Sequence, residues 1–171
     1  MQKKQSQILK KGSKKTEAIN KKVKSTVKKK EKEEVPLPMH HFKKIKVKRG
    51  ISGLGLFAGE NIKKGETIVE YIGEILNKEE ADKKITSQYL FEINRNKTID
   101  GTPRYNTARY ANHSCGSHGN AESDVKKGRV FFIATKNIKE GEEITYDYGE
   151  EFWEEHIKPY GCRCKKCDKN K

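Results

Sequence analysis

Cysteine is scarce in this chain of 171 residues, and its four copies are unevenly distributed. One stands at Cys115, and the other three, at 162, 164 and 167, fall within six residues of each other. No stretch approaches the roughly 18 apolar residues that a membrane-spanning helix needs, and the first residues lack the apolar segment of a secretory signal. These absences predict an intracellular protein with no membrane partner. In such a protein, clustered cysteines bind metal more often than they form disulfides.

Aromatic residues are absent from residues 1–34, which contain thirteen lysines and four glutamates. Such a segment cannot bury enough apolar surface to offset the entropy of ordering it, so we expect a disordered Lys-rich arm over 1–38 that ends in a hinge at Pro36 and Pro38. Three uses of the arm stay open. It can be a solubilising tail, a charge-driven contact to DNA or a nucleosome, or, through KKVKSTVKKKEK (21–32), a nuclear address.

The remaining residues show short runs of β-branched and aromatic residues, separated by glycines and charged turns. This pattern predicts a mostly β architecture of several small sheets. One helix is expected in KEEADKKI (78–85), because Asn77 and Glu80 have the spacing of a capping box. The predicted strands are 45–47, 54–58, 66–75, 88–93 and 129–134.

An internal echo links two distant parts of this region. AGENIKKGETI (58–68) and ATKNIKEGEEI (134–144) agree at seven of eleven positions. Two copies are too few for a repeat architecture, so the echo predicts two similar turns within one β fold.

The late cysteines have the spacing C-x-C-x2-C, which offers three thiolates to one tetrahedral ion and leaves one ligand missing. Cys115 would supply the fourth if its loop reached the C-terminal segment. We therefore predict one structural zinc ion bound by all four cysteines. The alternative is a set of reactive or incidental thiols.

Two glycines flank Leu54 in ISGLGLFA (51–58). A dinucleotide-binding loop is not favoured, because neither a Gly-x-x-Gly continuation nor a βαβ unit follows. Glycines at 53 and 55 instead suit a backbone that a ligand approaches closely.

Four ordered segments together resemble the SET-domain family of protein-lysine methyltransferases. They are ISGLGLFA, YIGE (71–74), RYANHSC (109–115) and GEEITYDYG (141–149), and the late cysteines are similar to the family's post-SET zinc element. The resemblance covers about residues 40–168. It implies a SET domain over 39–150, built of small curved sheets with a C-terminal pseudoknot between the last two segments. It also implies a post-SET zinc-binding segment over 151–171.

The resemblance also implies an active site for methyl transfer from S-adenosylmethionine to a lysine. Tyr148 matches the catalytic tyrosine, Tyr71 a tyrosine that lines the lysine channel, and Tyr146 a product-specificity position that favours adding one or two methyls. For Tyr89, a plain core aromatic is the alternative role. The cofactor-binding positions implied are Gly53, Leu54, Gly55, Tyr89, Arg109, Asn112 and His113, and the shared zinc would be held by Cys115, Cys162, Cys164 and Cys167.

One departure from the family affects the loop after Cys115. The family commonly continues with Asp-Pro-Asn, whereas this chain has GSHGN (116–120), in which Asn120 is expected to fill the last position.

The implied substrate is a histone tail or another Lys-rich chromosomal protein, which predicts a nuclear location in a eukaryotic cell or host and a cytoplasmic one otherwise. The arm would contact chromatin, or it could equally be a substrate for self-methylation. Two alternatives stay open. One is a non-catalytic SET module that binds chromatin, and the other is an enzyme that methylates a ribosomal or other cytosolic protein.

Overall fold

A computed structural model describes residues 40–50, 52–84 and 86–168, all within one compact unit. The predicted arm over 1–38 lies outside the described residues. The strands are β1 (Ile45–Gly50), β2 (Gly53–Ala58), β3 (Thr67–Tyr71), β4 (Glu74–Leu76), β5 (Leu90–Asn94), β6 (Lys97–Asp100), β7 (Asn112–His113), β8 (Ala121–Lys126), β9 (Arg129–Ala134) and β10 (Glu143–Tyr146). The α-helices are α1 (Lys78–Asp82) and α2 (Glu150–Phe152). The 3-10 helices are Thr107–Tyr110, Gly116–His118 and Lys158–Tyr160, and a π-helix spans Trp153–Ile157.

The described strands form three small sheets, which confirms the predicted mostly β architecture. The strand orders are β1-β2-β10-β7, β3-β9-β8 and β4-β6-β5. Most neighbouring strands run antiparallel, but β7 and β10 are parallel and pair Asn112 with Thr145 and His113 with Tyr146. The parallel pair brings RYANHSC beside the segment that ends in Asp147 and Tyr148, although about 30 residues separate them in the chain.

The predicted capping box forms at the start of α1. Asn77 accepts from the Glu80 N–H at 3.0 Å, and the Glu80 carboxylate accepts from the Asn77 N–H at 2.9 Å. The helix ends at Asp82, which is earlier than the sequence pattern predicts, and it buries none of its residues. Because the helix packs no buried face against the core, its stability comes from the capping bonds at the first turn, and it stays short.

The strand predicted over 66–75 is two strands in different sheets. It breaks at Ile72 and Gly73, where the Ile72 N–H donates to the side chain of Asn106 at 3.2 Å instead of to a neighbouring strand. The pattern of apolar residues did not reveal this break, because the partner that causes it lies 34 residues away.

The echoed segments pair with each other. Ile62 and Ile138 exchange two backbone hydrogen bonds of 2.8 Å. The Lys64 N–H donates to Asn137 at 2.9 Å, and the Glu140 N–H donates to Asn61 at 3.0 Å. Each shared Asn therefore supports the opposite turn, which explains why the same residues recur in both.

The core lies between these sheets and under the paired turns. It is one cluster in which aliphatic side chains from several strands surround Phe132. The largest fully buried side chains are Phe132, Leu56, Ile62, Ile68, Ile138, Ile144, Val69, Val130 and Asn106. Among the described residues, no helix has both the length and the apolar character required to cross a membrane.

Candidate active site and thiolate cluster

A cavity of about 680 Å³ lies where β2, β5, β7 and β10 meet the C-terminal helices. A volume of this size suits a cofactor or a comparable ligand. Its lining includes most of the predicted site residues: Leu54, Tyr71, Tyr89, Arg109, Asn112, His113, Tyr146, Tyr148, Cys162 and Cys164. Gly53 and Gly55 lie on β2 on either side of Leu54 but do not line the cavity.

Two tyrosines in the cavity are held by their hydroxyl groups. The Tyr71 hydroxyl donates to the backbone oxygen of Tyr89 at 2.8 Å, and the Tyr148 hydroxyl donates to the backbone oxygen of Ala111 at 2.7 Å. Each hydroxyl proton is therefore committed to a carbonyl. The oxygen lone pairs remain able to accept hydrogen bonds from a donor in the cavity.

Burial keeps these phenols neutral. It raises the pKa of Tyr71, Tyr146 and Tyr148 above the usual value of 10, because a phenolate would be poorly solvated there, and neighbouring tyrosines add to the effect. The rings of Tyr146 and Tyr148 lie 4.7 Å apart, and Tyr146 packs on Phe132 at 4.5 Å. The three phenols therefore stay protonated near neutral pH, so they can form hydrogen bonds but cannot act as bases.

Arg109 and Tyr89 form another wall. The Arg109 guanidinium carbon lies 3.7 Å from the centre of the Tyr89 ring, and Nη1 donates to the backbone oxygen of Thr102. Arg109 Nε is buried and has no hydrogen-bond partner within the part of the chain that the structure describes. A buried donor without a partner is costly, so it indicates a group that a ligand or water satisfies.

The Asn112 side chain joins β7 to β2 and β10. Its amide donates to the backbone oxygen of Leu54 at 3.2 Å and to the Glu143 carboxylate at 2.8 Å. A Cβ on Gly55 would lie within 3.2 Å of the Asn112 amide and would overlap Glu143. Gly55 therefore makes room for protein side chains, and the close approach of a ligand to its backbone stays a prediction.

His113 connects the cavity to the cysteines. Its Nδ1 accepts from the Tyr148 backbone N–H at 3.3 Å, so the neutral ring carries its proton on Nε2, which lies 3.3 Å from Cys115 Sγ. Burial lowers the pKa of His113, with the Asp147 carboxylate opposing it, and so favours this neutral form.

The structure brings all four cysteines together. Their sulfur atoms lie within 4.8 Å of one another, and Cys115 Sγ is 3.7 Å from Sγ of both Cys162 and Cys167. Burial raises the pKa of Cys115 and Cys162. At Cys164 burial acts in the same direction, but hydrogen bonds from backbone N–H groups outweigh it and lower the pKa. The cluster is buried only in part, with Cys164 the most enclosed and Cys167 exposed.

The expected role of Asn120 in the loop after Cys115 has a structural counterpart. The side-chain amide of Asn120 donates to the backbone oxygen of Glu143 at 2.9 Å, and its side-chain oxygen accepts from the Thr145 N–H at 2.9 Å. These two bonds tie the loop to β10. Asp147 closes the other side by accepting from the Gly116 N–H at 2.6 Å.

Sequence reasoning missed several aromatic residues of the cavity. Phe152 packs on Tyr148 at 4.8 Å and on His156 at 4.6 Å. The i, i+4 spacing of Phe152 and His156 in FWEEH was the available signal, because residues four apart share a helix face. The missed lining residues include Phe91, Tyr110, Phe152, His156 and Tyr160.

A mostly β fold with a tyrosine-lined cavity beside a cluster of four cysteines defines the class that the motifs suggested. The sequence profile of the SET domain matches residues 53–149. The chain belongs to the SET-domain family.

Several curated relatives are histone-lysine N-methyltransferases. The chain is 36% identical over 124 residues to histone-lysine N-methyltransferase ASHH3 of Arabidopsis thaliana, a match over 66% of this chain and 34% of that protein. It is 37% identical over 129 residues to histone-lysine N-methyltransferase 2D of Homo sapiens, over 70% of this chain and 2% of that protein. The chain thus spans about a third of the first relative and a small part of the second.

Solved structures of polycomb repressive complex 2 share the fold. The crystal structure of the Chaetomium thermophilum complex matches with a TM-score of 0.55 and 29% identity, over 63% of this chain and 15% of that chain. A second structure of this complex, in an autoinhibited conformation and bound to S-adenosylmethionine, matches with a TM-score of 0.56 and 29% identity, over 63% and 15% of the two chains.

Proposed function

We propose that this protein is an S-adenosylmethionine-dependent protein-lysine N-methyltransferase. The observation that carries the proposal is the pair of hydroxyls, on Tyr71 and Tyr148, whose protons are donated to backbone carbonyls and whose lone pairs remain available in the cavity. This arrangement suits an uncharged amine, which approaches with N–H donors and leaves its own lone pair for reaction.

The chemistry requires a neutral lysine. With an unperturbed pKa near 10.4, only about one lysine in 2,500 is neutral at pH 7, a penalty of about 4.6 kcal/mol. The aromatic walls formed by Tyr71, Tyr146, Tyr148 and Phe152 exclude water and so lower the pKa of an entering amine. Because the tyrosines stay protonated, the amine loses its proton to solvent before it enters, and the hydroxyl oxygens then align it.

The residues present fit S-adenosylmethionine. The cavity has the volume for it, and Arg109 Nε offers a buried donor without a partner. When bound, this group supplies a methyl on a positively charged sulfur. Leu54, Tyr89, Arg109, Asn112 and His113 line the cavity and are proposed to hold it, with Gly53 and Gly55 shaping the strand beside them.

The cysteines fit a zinc ion. Tetrahedral Zn–S bonds of about 2.3 Å require sulfur atoms about 3.8 Å apart, close to the 3.7 Å that separates Cys115 from Cys162 and from Cys167. Four thiolates leave no open coordination position, so the proposed role is structural. Cys162 and Cys164 also line the cavity, so the ion would hold one of its walls.

A histone tail is the proposed substrate, because the relatives named above are histone-lysine methyltransferases. Activity on a histone would place the protein at chromatin in a nucleus, and the Lys-rich segment over 1–34 would add charge attraction to DNA. For the product, we propose mainly one or two methyls, because the hydroxyl of Tyr146 can hold a water molecule where a further methyl would have to go.

The test is incubation of the purified protein with labelled S-adenosylmethionine and a panel of core histones, nucleosomes and cell lysate, followed by mass spectrometry. We expect methyl groups on lysine, mostly one or two per side chain. Efficient trimethylation would contradict the product assignment. A protein that binds no S-adenosylmethionine in calorimetry and labels nothing would instead be a non-catalytic module.

A further inference from the structure

At Gly101 a side chain is excluded by lack of space and not by the backbone conformation. Its φ is not positive, so its backbone conformation is open to any residue. It is buried, however, and a Cβ built on it would overlap Oη, Cζ and Cε1 of Tyr71. The requirement for glycine at 101 therefore comes from the Tyr71 ring and not from the backbone.

Gly101 and Tyr71 also share hydrogen-bond partners. The Gly101 N–H and the Tyr71 hydroxyl both donate to the backbone oxygen of Tyr89, each at 2.8 Å. The fully buried Asn106 donates to the Gly101 oxygen at 3.1 Å and accepts from the N–H of Ile72, the residue after Tyr71. These bonds hold Gly101 and the end of β3 in a fixed relation, so neither can move away from an added Cβ at low cost.

The Tyr71 ring is packed against two aromatic rings and also borders the cavity. Phe91 and Phe132 pack against it with ring centres at 5.5 Å and 6.1 Å. Interiors of this density do not yield easily. The cavity that Tyr71 lines is free space beside the ring. A side chain at 101 would therefore push the ring into the cavity.

We propose that Gly101, held by Asn106, is a positioning residue for Tyr71, and that its lack of a side chain sets the room for the amine beside that ring. The proposal rests on the proposed function. A partly methylated amine is bulkier than a primary amine, so a narrower cavity impairs the later methyl transfers more than the first.

The experiment compares Gly101→Ala and Asn106→Ser with the parent protein. The control is Gly59→Ala, whose added Cβ would crowd the Lys44 backbone oxygen at 3.0 Å and whose position lines no part of the cavity. We measure turnover, S-adenosylmethionine affinity, thermal unfolding and the ratio of dimethyl to monomethyl product. For Gly101→Ala we expect turnover to fall at least about tenfold, a size typical of a misplaced reacting group. The product ratio should fall further, while cofactor affinity stays within about twofold.

Asn106→Ser adds no atoms, so it decides the question if Gly101→Ala does not fold. It frees Gly101 without narrowing the cavity, so turnover should fall while the ratio of dimethyl to monomethyl product stays near that of the parent. Parent-like turnover in the folded variants, a parent-like product ratio in folded Gly101→Ala, or equal losses in Gly59→Ala would overturn the proposal.

A readout that needs no activity separates this proposal from the proposed function. With labelled tyrosine, the Tyr71 ring signals, assigned by their loss in Tyr71→Phe, should shift in Gly101→Ala and not in Gly59→Ala. Unchanged Tyr71 ring signals in Gly101→Ala would contradict the positioning role of Gly101, whether or not the parent protein methylates a substrate. A parent protein that transfers no methyl, with shifted signals, would remove the proposed function and leave the structural relation standing.

Discussion

The backbone N–H of Tyr148 donates to Nδ1 of His113 at 3.3 Å, while the other nitrogen of the same ring lies 3.3 Å from Cys115 Sγ. One imidazole therefore touches both the proposed catalytic tyrosine and a member of the cysteine cluster. A metal ion bound by the cysteines would fix Cys115, and through His113 it would fix the backbone that carries Tyr148. Partners of this kind behind a metal ligand commonly change metal affinity by about 10- to 100-fold.

Two substitutions of His113 can each keep one of its two ring contacts and remove the other. Asparagine can place an oxygen near Nδ1 and keep the acceptor for the Tyr148 N–H, whereas glutamine reaches the Nε2 position and keeps a donor for Cys115. We expect His113→Asn to lose metal affinity by about tenfold or more and His113→Gln to retain metal but lose turnover. Zinc titration against a chelator and a methyl-transfer assay measure the two effects. Identical profiles for both variants would contradict the separation.

Tyr148→Phe removes the hydroxyl and keeps the ring that packs on Tyr146 and Phe152. We expect turnover to fall at least about tenfold, equivalent to about 1.4 kcal/mol in the barrier, with S-adenosylmethionine affinity nearly unchanged. The matched control is Tyr105→Phe, because Tyr105 is exposed and lies outside the cavity. Turnover within twofold of the parent would argue against a catalytic role for Tyr148.

Cys167→Ser tests the thiolate cluster at its most exposed member. Loss of one thiolate should reduce bound zinc, measured by elemental analysis of the reduced protein, and should lower turnover, because Cys162 and Cys164 line the cavity. Lys166→Ser changes the neighbouring residue of the same loop and should retain the metal. Full zinc occupancy in Cys167→Ser, or none in the parent protein, would refute a four-cysteine site.

Because of the Glu70 carboxylate, we predict that the free energy of unfolding falls at acid pH. Glu70 is almost buried and accepts from Arg129 Nε at 2.7 Å and from His40 at 3.0 Å. The Arg129 hydrogen bonds outweigh burial and hold the pKa of Glu70 below its usual value of 4.5. A lowered folded-state pKa contributes stability that is complete above the unfolded-state pKa and is lost as the pH falls through the folded-state value.

Arg129→Gln removes the charged partner of Glu70. We expect it to lower the free energy of unfolding at pH 7, by a modest amount because the Arg129 side chain is 55% exposed. The difference from the parent should shrink as the pH falls below 4.5. Denaturant unfolding at several pH values measures it. The control is Lys126→Gln, which breaks an exposed pair with Asp124. It should lower the free energy of unfolding by less than about 0.5 kcal/mol at any pH. If it lowered that free energy as much as Arg129→Gln does, the burial of Glu70 would add nothing to its ion pair.

Local features of this fold were readable from the sequence. The capping box of α1 and the limits of β9 were predicted because each depends on residues a few positions apart or on one unbroken apolar run. The meeting of Cys115 with the late cysteines was predicted from the number of ligands a tetrahedral ion requires together with the family resemblance. The methyl-transfer roles of the tyrosines, in contrast, came from the resemblance alone and stay predictions.

By itself the sequence determined the strand-rich class, the set of four cysteines and the two similar turns, since these follow from residue type and short-range spacing. Only the tertiary structure decided that Asn106 interrupts a strand 34 residues away, that Glu143 and Asn112 occupy the space beside Gly55, and that Gly101 lies against Tyr71. In each case the energy comes from two groups that share space or a hydrogen bond across distant segments. Nothing in the local pattern of either segment specifies its partner.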